Sequence, residues 1–112
     1  MSADLKELVE AAVSQGKVEA RRKTEQFLAK HGDRDACGFA WVTVYEKGST
    51  KLGKALIANG FSKSYSGGLQ LWDPSQSFTQ SISAKEAGAE AFVAVMKNTF
   101  PVMKVYAGSR MD

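Results

Sequence analysis

Apolar positions recur along this chain with two different periods, and the switches between them mark its elements. Within 2–31, Leu5, Leu8, Val9, Ala12 and Val13 repeat at helical spacing, and Ala20, Thr24, Phe27 and Leu28 carry the stripe onward. Ser2 suits the N-cap, Asp4 the positive end of the helix dipole, and Gly32 the stop. Ser14-Gln15-Gly16 marks a candidate break into two helices, since Gly costs about 1 kcal/mol against Ala in a helix interior.

The period then changes. Ala36 to Tyr45 is uncharged and rich in β-branched and aromatic residues, which predicts a strand. Alternation puts Gly38, Ala40, Val42 and Val44 on one side and Phe39, Trp41, Thr43 and Tyr45 on the other. Neither side shows a polar row, so the strand is expected mid-sheet with something against each face.

Helical spacing returns over about Thr50 to Ala58, with Ser49 as the expected cap, Leu52, Ala55 and Leu56 as the inner face and Asn59-Gly60 as the stop. Phe61–Tyr65 and Leu69–Trp72 read as strands around a Ser66-Gly67-Gly68 hairpin turn. A polar loop holding Phe78 leads to Ser83-Ala84-Lys85-Glu86, which has the form of a capping box. The helix it opens runs to about Asn98, with Ala84, Gly88, Ala91, Phe92, Val95 and Met96 on one stripe. After Phe100-Pro101 a last strand is predicted over Val102–Tyr106, with Ala107–Asp112 as a surface tail.

The expected fold class is α+β: an N-terminal helical segment over 1–32, then a ferredoxin-like βαββαβ unit over 36–107 with a four-stranded antiparallel sheet. Right-handed crossovers would put the first and third strands in the middle and both helices on one face. Leu69, Leu71, Met103 and Val105 then join the small residues beneath the helices. Phe39, Trp41, Tyr45, Trp72 and Tyr106 collect on the opposite face with Gln70 and Lys104, and Phe61 and Tyr65 are further candidates.

Five aromatics at roughly 150 Å² or more each exceed what soluble monomers usually leave open. The first expectation is therefore that the N-terminal helix, or a second copy of the chain, covers that face. The alternative is a stacking platform for single-stranded nucleic acid, with Lys104, Lys63 and Arg21-Arg22-Lys23 meeting the backbone. The third strand, Leu69-Gln70-Leu71-Trp72, lacks the aromatic-basic-glycine motif of RNA-recognition modules.

Bulk numbers narrow the classes. At 112 residues the chain is expected to form one domain, and 44% hydrophobic with 24% charged residues is ordinary for a globular protein. A net charge of +3 permits an anionic partner without demanding one. The lone Cys37 excludes an intramolecular disulfide, and one Cys with His31 makes no zinc site of the usual kind, so no metal is expected. No apolar run approaches a membrane span and the N-terminus lacks a signal-peptide core, so a cytoplasmic protein without a membrane partner is expected.

Chemistry-bearing motifs fare poorly. Gly48-Ser-Thr-Lys-Leu-Gly-Lys54 has phosphate-loop spacing, but Ala55 stands where a hydroxyl is needed, and Gly53 and Lys54 fall inside the expected helix. No cofactor is assigned. Cys37 and His31 lack an orienting third group, and Cys37 reads as a buried, inert thiol. Asp33, Asp35, Asp73 and Asp112 have no calcium-loop spacing, and Arg110 with Asp112 reads as a surface ion pair. Lys17, Arg21, Arg22, Lys23 and Lys30 read as a solvated helix face.

Three blocks carry a likeness: Cys37-Gly-Phe-Ala-Trp-Val42, Tyr65-Ser-Gly-Gly-Leu-Gln-Leu-Trp72 leading into Gln80-Ser-Ile-Ser-Ala-Lys-Glu-Ala-Gly-Ala89, and Val105-Tyr-Ala-Gly-Ser-Arg110. Over about 36–112 the chain resembles a group of small uncharacterised proteins of tailed bacteriophages and prophages. The resemblance implies a phage accessory protein in the bacterial cytoplasm and no catalytic residues. The reading is a non-enzymatic interaction module that self-associates as a homo-oligomer or meets a host or phage protein, with nucleic acid ranked second. Its candidate surface is Trp41, Trp72, Lys104, Tyr106 and Arg110.

Overall fold

In the computed structural model, which describes residues 4–33 and 36–111, seven elements follow one another: α1 (Leu5–His31), β1 (Gly38–Val44), α2 (Lys51–Ala58), β2 (Ser62–Lys63), β3 (Leu69–Trp72), α3 (Ile82–Thr99) and β4 (Val105–Met111). The strands form one antiparallel sheet in the order β2-β3-β1-β4, so β1 lies mid-sheet as its two apolar faces require.

One side of the sheet is dry. Ala40, Val42, Val44, Leu69, Leu71 and Val105 share a core with Ala55 and Leu56 of α2 and Ala89, Phe92 and Met96 of α3, with Met103 partly buried against it. Val9, Val13 and Ala20 of α1 join the same core, and α1 packs along α3 and against α2. The N-terminal helix therefore lies on the helix side. The expectation that it folds back over the aromatic face is overturned.

Two glycines explain where α1 goes. A Cβ on Gly16 would sit 2.7 Å from the Phe92 ring, and one on Gly88 would strike Thr24 Oγ1 and lie 2.9 Å from the Ala20 carbonyl. Both allow α1 and α3 to approach closely, and the buried Thr24 hydroxyl donates to the Ala84 carbonyl at 2.9 Å across the crossing. Gly16 is thus a contact residue, and α1 runs through the candidate break unbroken. Its N-cap is Asp4, whose side chain accepts from the Lys6 amide; Ser2, the expected cap, lies outside the described residues. Gly32 ends the helix as expected, at φ 74°, with its N–H on the Leu28 carbonyl.

Three boundaries move. Thr50 caps α2, not Ser49, accepting from the Gly53 amide at 3.0 Å while its own hydroxyl donates to Glu46. Ser81 caps α3, not Ser83, accepting from the Ala84 amide at 3.1 Å, and Glu86 takes the Ser109 hydroxyl instead of closing a capping box. β2 shrinks to two residues, because Phe61 drops into the core beside Phe92 and Ser64 begins the turn to Gly68.

The last strand is the largest correction. The expected start at Val102 is a turn, with the Met103 amide on the Phe100 carbonyl. The supposed tail is strand, and β4 pairs with β1 along its whole length, from Val44↔Val105 to Gly38↔Met111.

Candidate functional site

Direct partners in an antiparallel ladder point to the same face, so the registers define the open side of the sheet. β1 contributes Phe39, Trp41 and Thr43, β3 contributes Gln70 and Trp72, and β4 contributes Tyr106, Gly108 and Arg110, with Tyr45 just beyond β1. Phe39, Tyr45, Trp72 and Tyr106 are 39%, 53%, 48% and 51% exposed, and Trp41 is half-buried.

The rings pack against one another, tilted or edge-on. Trp41 and Trp72, cross-strand partners, have centroids 4.8 Å apart at 37°, and Phe39 meets Trp72 edge-on at 6.4 Å. Tyr45 and Tyr106 form a second cluster at 5.7 Å. Gly108 lies opposite Trp41, where a Cβ would be 2.6 Å from the indole nitrogen; its absence lets the indole lie flat across β4. Between the clusters the Gln70 amide donates to the Thr43 hydroxyl at 3.4 Å.

Cations border the rings. Lys85 reaches from α3 to donate to the Gly38 carbonyl at 3.0 Å, with its ammonium 5.4 Å from the Phe39 centroid. Lys97 holds its ammonium 5.6 Å from the Tyr106 centroid. Arg110 stands on the face, and none of the residues that the registers place there is acidic. A groove of about 510 Å³ runs between Trp41, Trp72, Gln70, Ser64, Tyr65 and Arg110.

Of the candidate surface, Trp41, Trp72 and Arg110 line one groove, and Tyr106 sits on the same face in the second cluster. Lys104 is not in that groove: it is exposed and lies one residue before β4, and its carbonyl accepts the Tyr45 amide. Phe61 leaves the list of candidates because it is buried, while Tyr65 is fully exposed on the β2–β3 turn. Sequence reasoning passed over Lys85, Lys97 and Gly108. The period-two pattern of Tyr106, Gly108 and Arg110 was the available signal for the last of these.

The discarded motifs resolve locally. Gly53 and Lys54 lie inside α2, with the Gly53 amide already taken by Thr50, and a Cβ on Gly53 would collide with the Lys47 carbonyl. Cys37 is exposed, against the expectation of a buried thiol, because it precedes β1 at the sheet's end; its Sγ donates to Gln80 at 3.2 Å. The His31 ring packs on Phe27 at 4.6 Å. Arg21 and Arg22 pair with Glu25 and Glu19 along α1. The partner expected for Arg110, Asp112, lies outside the described residues. Among the described residues no group of three or more His, Cys, Asp and Glu side chains could hold a metal, and no helix is long and apolar enough to cross a membrane. No family model, curated protein or solved structure matches the chain.

Proposed function

We propose that this chain is a non-enzymatic binding protein that takes single-stranded nucleic acid on its open sheet face. The observation that carries this reading is the uncovered cluster around Trp41 and Trp72, left bare because all three helices pack on the other side. Arg110 decides between occupants. A second copy laid face to face would bury that guanidinium with no carboxylate from the face to pair it, a costly arrangement. A strand of nucleotides offers bases to the rings and phosphates to Arg110, Lys85 and Lys97. The strand order β2-β3-β1-β4 supports a ferredoxin-like unit, a layout whose open face suits such stacking. The phage setting implied by the sequence blocks is part of the same proposal.

Stacking contributes about 1–3 kcal/mol per base. Titration with oligo-dT at low salt is expected to quench tryptophan fluorescence, and Trp72→Ala to weaken binding by about 5- to 150-fold. With two or three phosphates neutralised, log K should fall against log salt with a slope of about −1.4 to −2.1. Unchanged fluorescence with micromolar oligonucleotide at low salt would sink the reading. A host or phage protein on the same face is the second reading, favoured by the Trp, Tyr and Arg content typical of interface anchors.

A further inference from the structure

The two borders of the sheet are unlike: β2 has two residues and β4 has seven. The Tyr45 amide donates to the Lys104 carbonyl at 2.9 Å, which sets the phase of the β1–β4 ladder. Antiparallel pairs alternate, so Thr43–Tyr106, Trp41–Gly108 and Phe39–Arg110 are the pairs that exchange bonds. The Asp73 amide on the Ala40 carbonyl agrees, since it turns the even-numbered residues of β1 toward β3. Tyr106, Gly108 and Arg110 thus direct their backbone groups at β1. Ala107, Ser109 and Met111 direct theirs outward, at the border, while Val105 is fully buried and its amide donates to the Met103 carbonyl at 3.1 Å.

Proteins normally defend such a border with a proline, a bulge, a very short strand or charged side chains. β4 contains no proline, its register with β1 is uninterrupted, and Arg110 is the one charged side chain along it. Ala107 is exposed and Met111 is 68% exposed.

We propose that β4 pairs with β4 of a second copy, antiparallel about a two-fold axis through Gly108, making one eight-stranded sheet. In that register Ala107 exchanges both bonds with Ser109 of the partner subunit, and the ladder stops short of Val105, which is already buried. On the aromatic face Tyr106 meets Arg110 of the partner subunit, twice by symmetry, a cation–π pairing. Of the two neighbouring registers, an axis through Ala107 sets Lys104 against Arg110 of the partner subunit, a like-charge pair, and an axis through Ser109 sets Gly108 against Arg110 of the partner subunit and forfeits the pairing with Tyr106. The Gly108 register also joins the two aromatic faces into one surface. This inference rests on the backbone of β4 and stands whether or not the face binds nucleic acid.

The test is mass by light scattering over roughly 1–300 μM, with amide hydrogen exchange at both ends of that range. Twice the 12.1 kDa monomer mass is expected at high concentration. The amides of Ala107 and Ser109 should be protected there and lose protection on dilution, while those of Tyr106, Gly108 and Arg110 stay protected throughout. Ala107→Pro removes an outward donor that β1 does not use, so it should give a monomer with an unchanged circular dichroism spectrum. If that variant unfolds, the wild-type exchange pattern decides alone. A monomer at every concentration, or a dimer whose outward amides exchange freely, would overturn the proposal.

Discussion

Val42 and Trp41 are neighbours on one strand and live in different solvents. Val42 is fully buried beneath the helices, while Trp41 and the rings around it face water. The bulkier side of β1 is the wetter one, the reverse of what apolar size alone would suggest. The reason lies in what fills the space beneath the sheet. Gly38, Ala40, Val42 and Val44 are small, and the volume above them is taken by Phe92, Met96 and Leu56 from the helices. The core closes without the aromatic row, which leaves those rings available to a partner.

The sharpest way to break this contrast is a pair of truncations measured by urea unfolding. Phe92→Ala should cost about 3–5 kcal/mol, since it empties the site where α1, α3 and Phe61 meet. Trp72→Ala should cost clearly less, about 1–2 kcal/mol, because half of that side chain is already solvated. A cost for Trp72→Ala comparable to the core value would mean that the face is covered in solution, and the two sides would no longer differ.

A second substitution sharpens the contrast by asking what commits α1 to the helix side. Gly88→Ala gains about 1 kcal/mol of helix propensity but drives a methyl into Thr24 and the Ala20 carbonyl. Overpacking of this kind costs about 1–3 kcal/mol, so a net loss of up to about 2 kcal/mol is expected in the same assay. A stabilised variant would show that the α1–α3 crossing is looser than its geometry.

The order of the elements, the central place of β1 and the division of its faces were all legible, because a strand apolar on both sides has few places to go. The destination of α1 was not. An amphipathic stripe states that a helix must be buried and is silent on which surface buries it; Gly16 and Gly88, a matched pair of small residues, were the only written hint. β4 was misplaced because Ala107-Gly108-Ser109 has the composition of a loop, and pairing with the whole of β1 overrides that weak local preference. The caps at Thr50 and Ser81 were missed by one and two residues, since neighbouring hydroxyls compete for the same role and only the approach of the chain decides. Of the candidate surface, Trp41, Trp72 and Arg110 line one groove, and Tyr106 and Lys104 lie outside it. The lysines over Phe39 and Tyr106 reach in from α3, a relation that strand alternation cannot express.

The smallest effect belongs to a third kind of surface, the charged flank of α1. Glu19 accepts from the Arg22 guanidinium at 2.9 Å, and that hydrogen bond holds the carboxyl below its ordinary value of 4.5, with the positive charges of Arg22 and Lys23 acting the same way. A carboxyl with a lowered folded pKa stabilises the fold at pH above its unfolded value and loses that contribution as pH falls through the folded one. Arg22 is open to solvent and Glu19 partly so, and the contribution is therefore small and screened by salt. Glu19→Gln should therefore match the wild-type urea midpoint in molar salt and fall slightly below it at neutral pH and low salt. That small gap should close as the pH drops below 4.5. A gap that persists in acid or in high salt would mean that Glu19 acts through packing, and the charged flank would then belong with the covered side of the molecule.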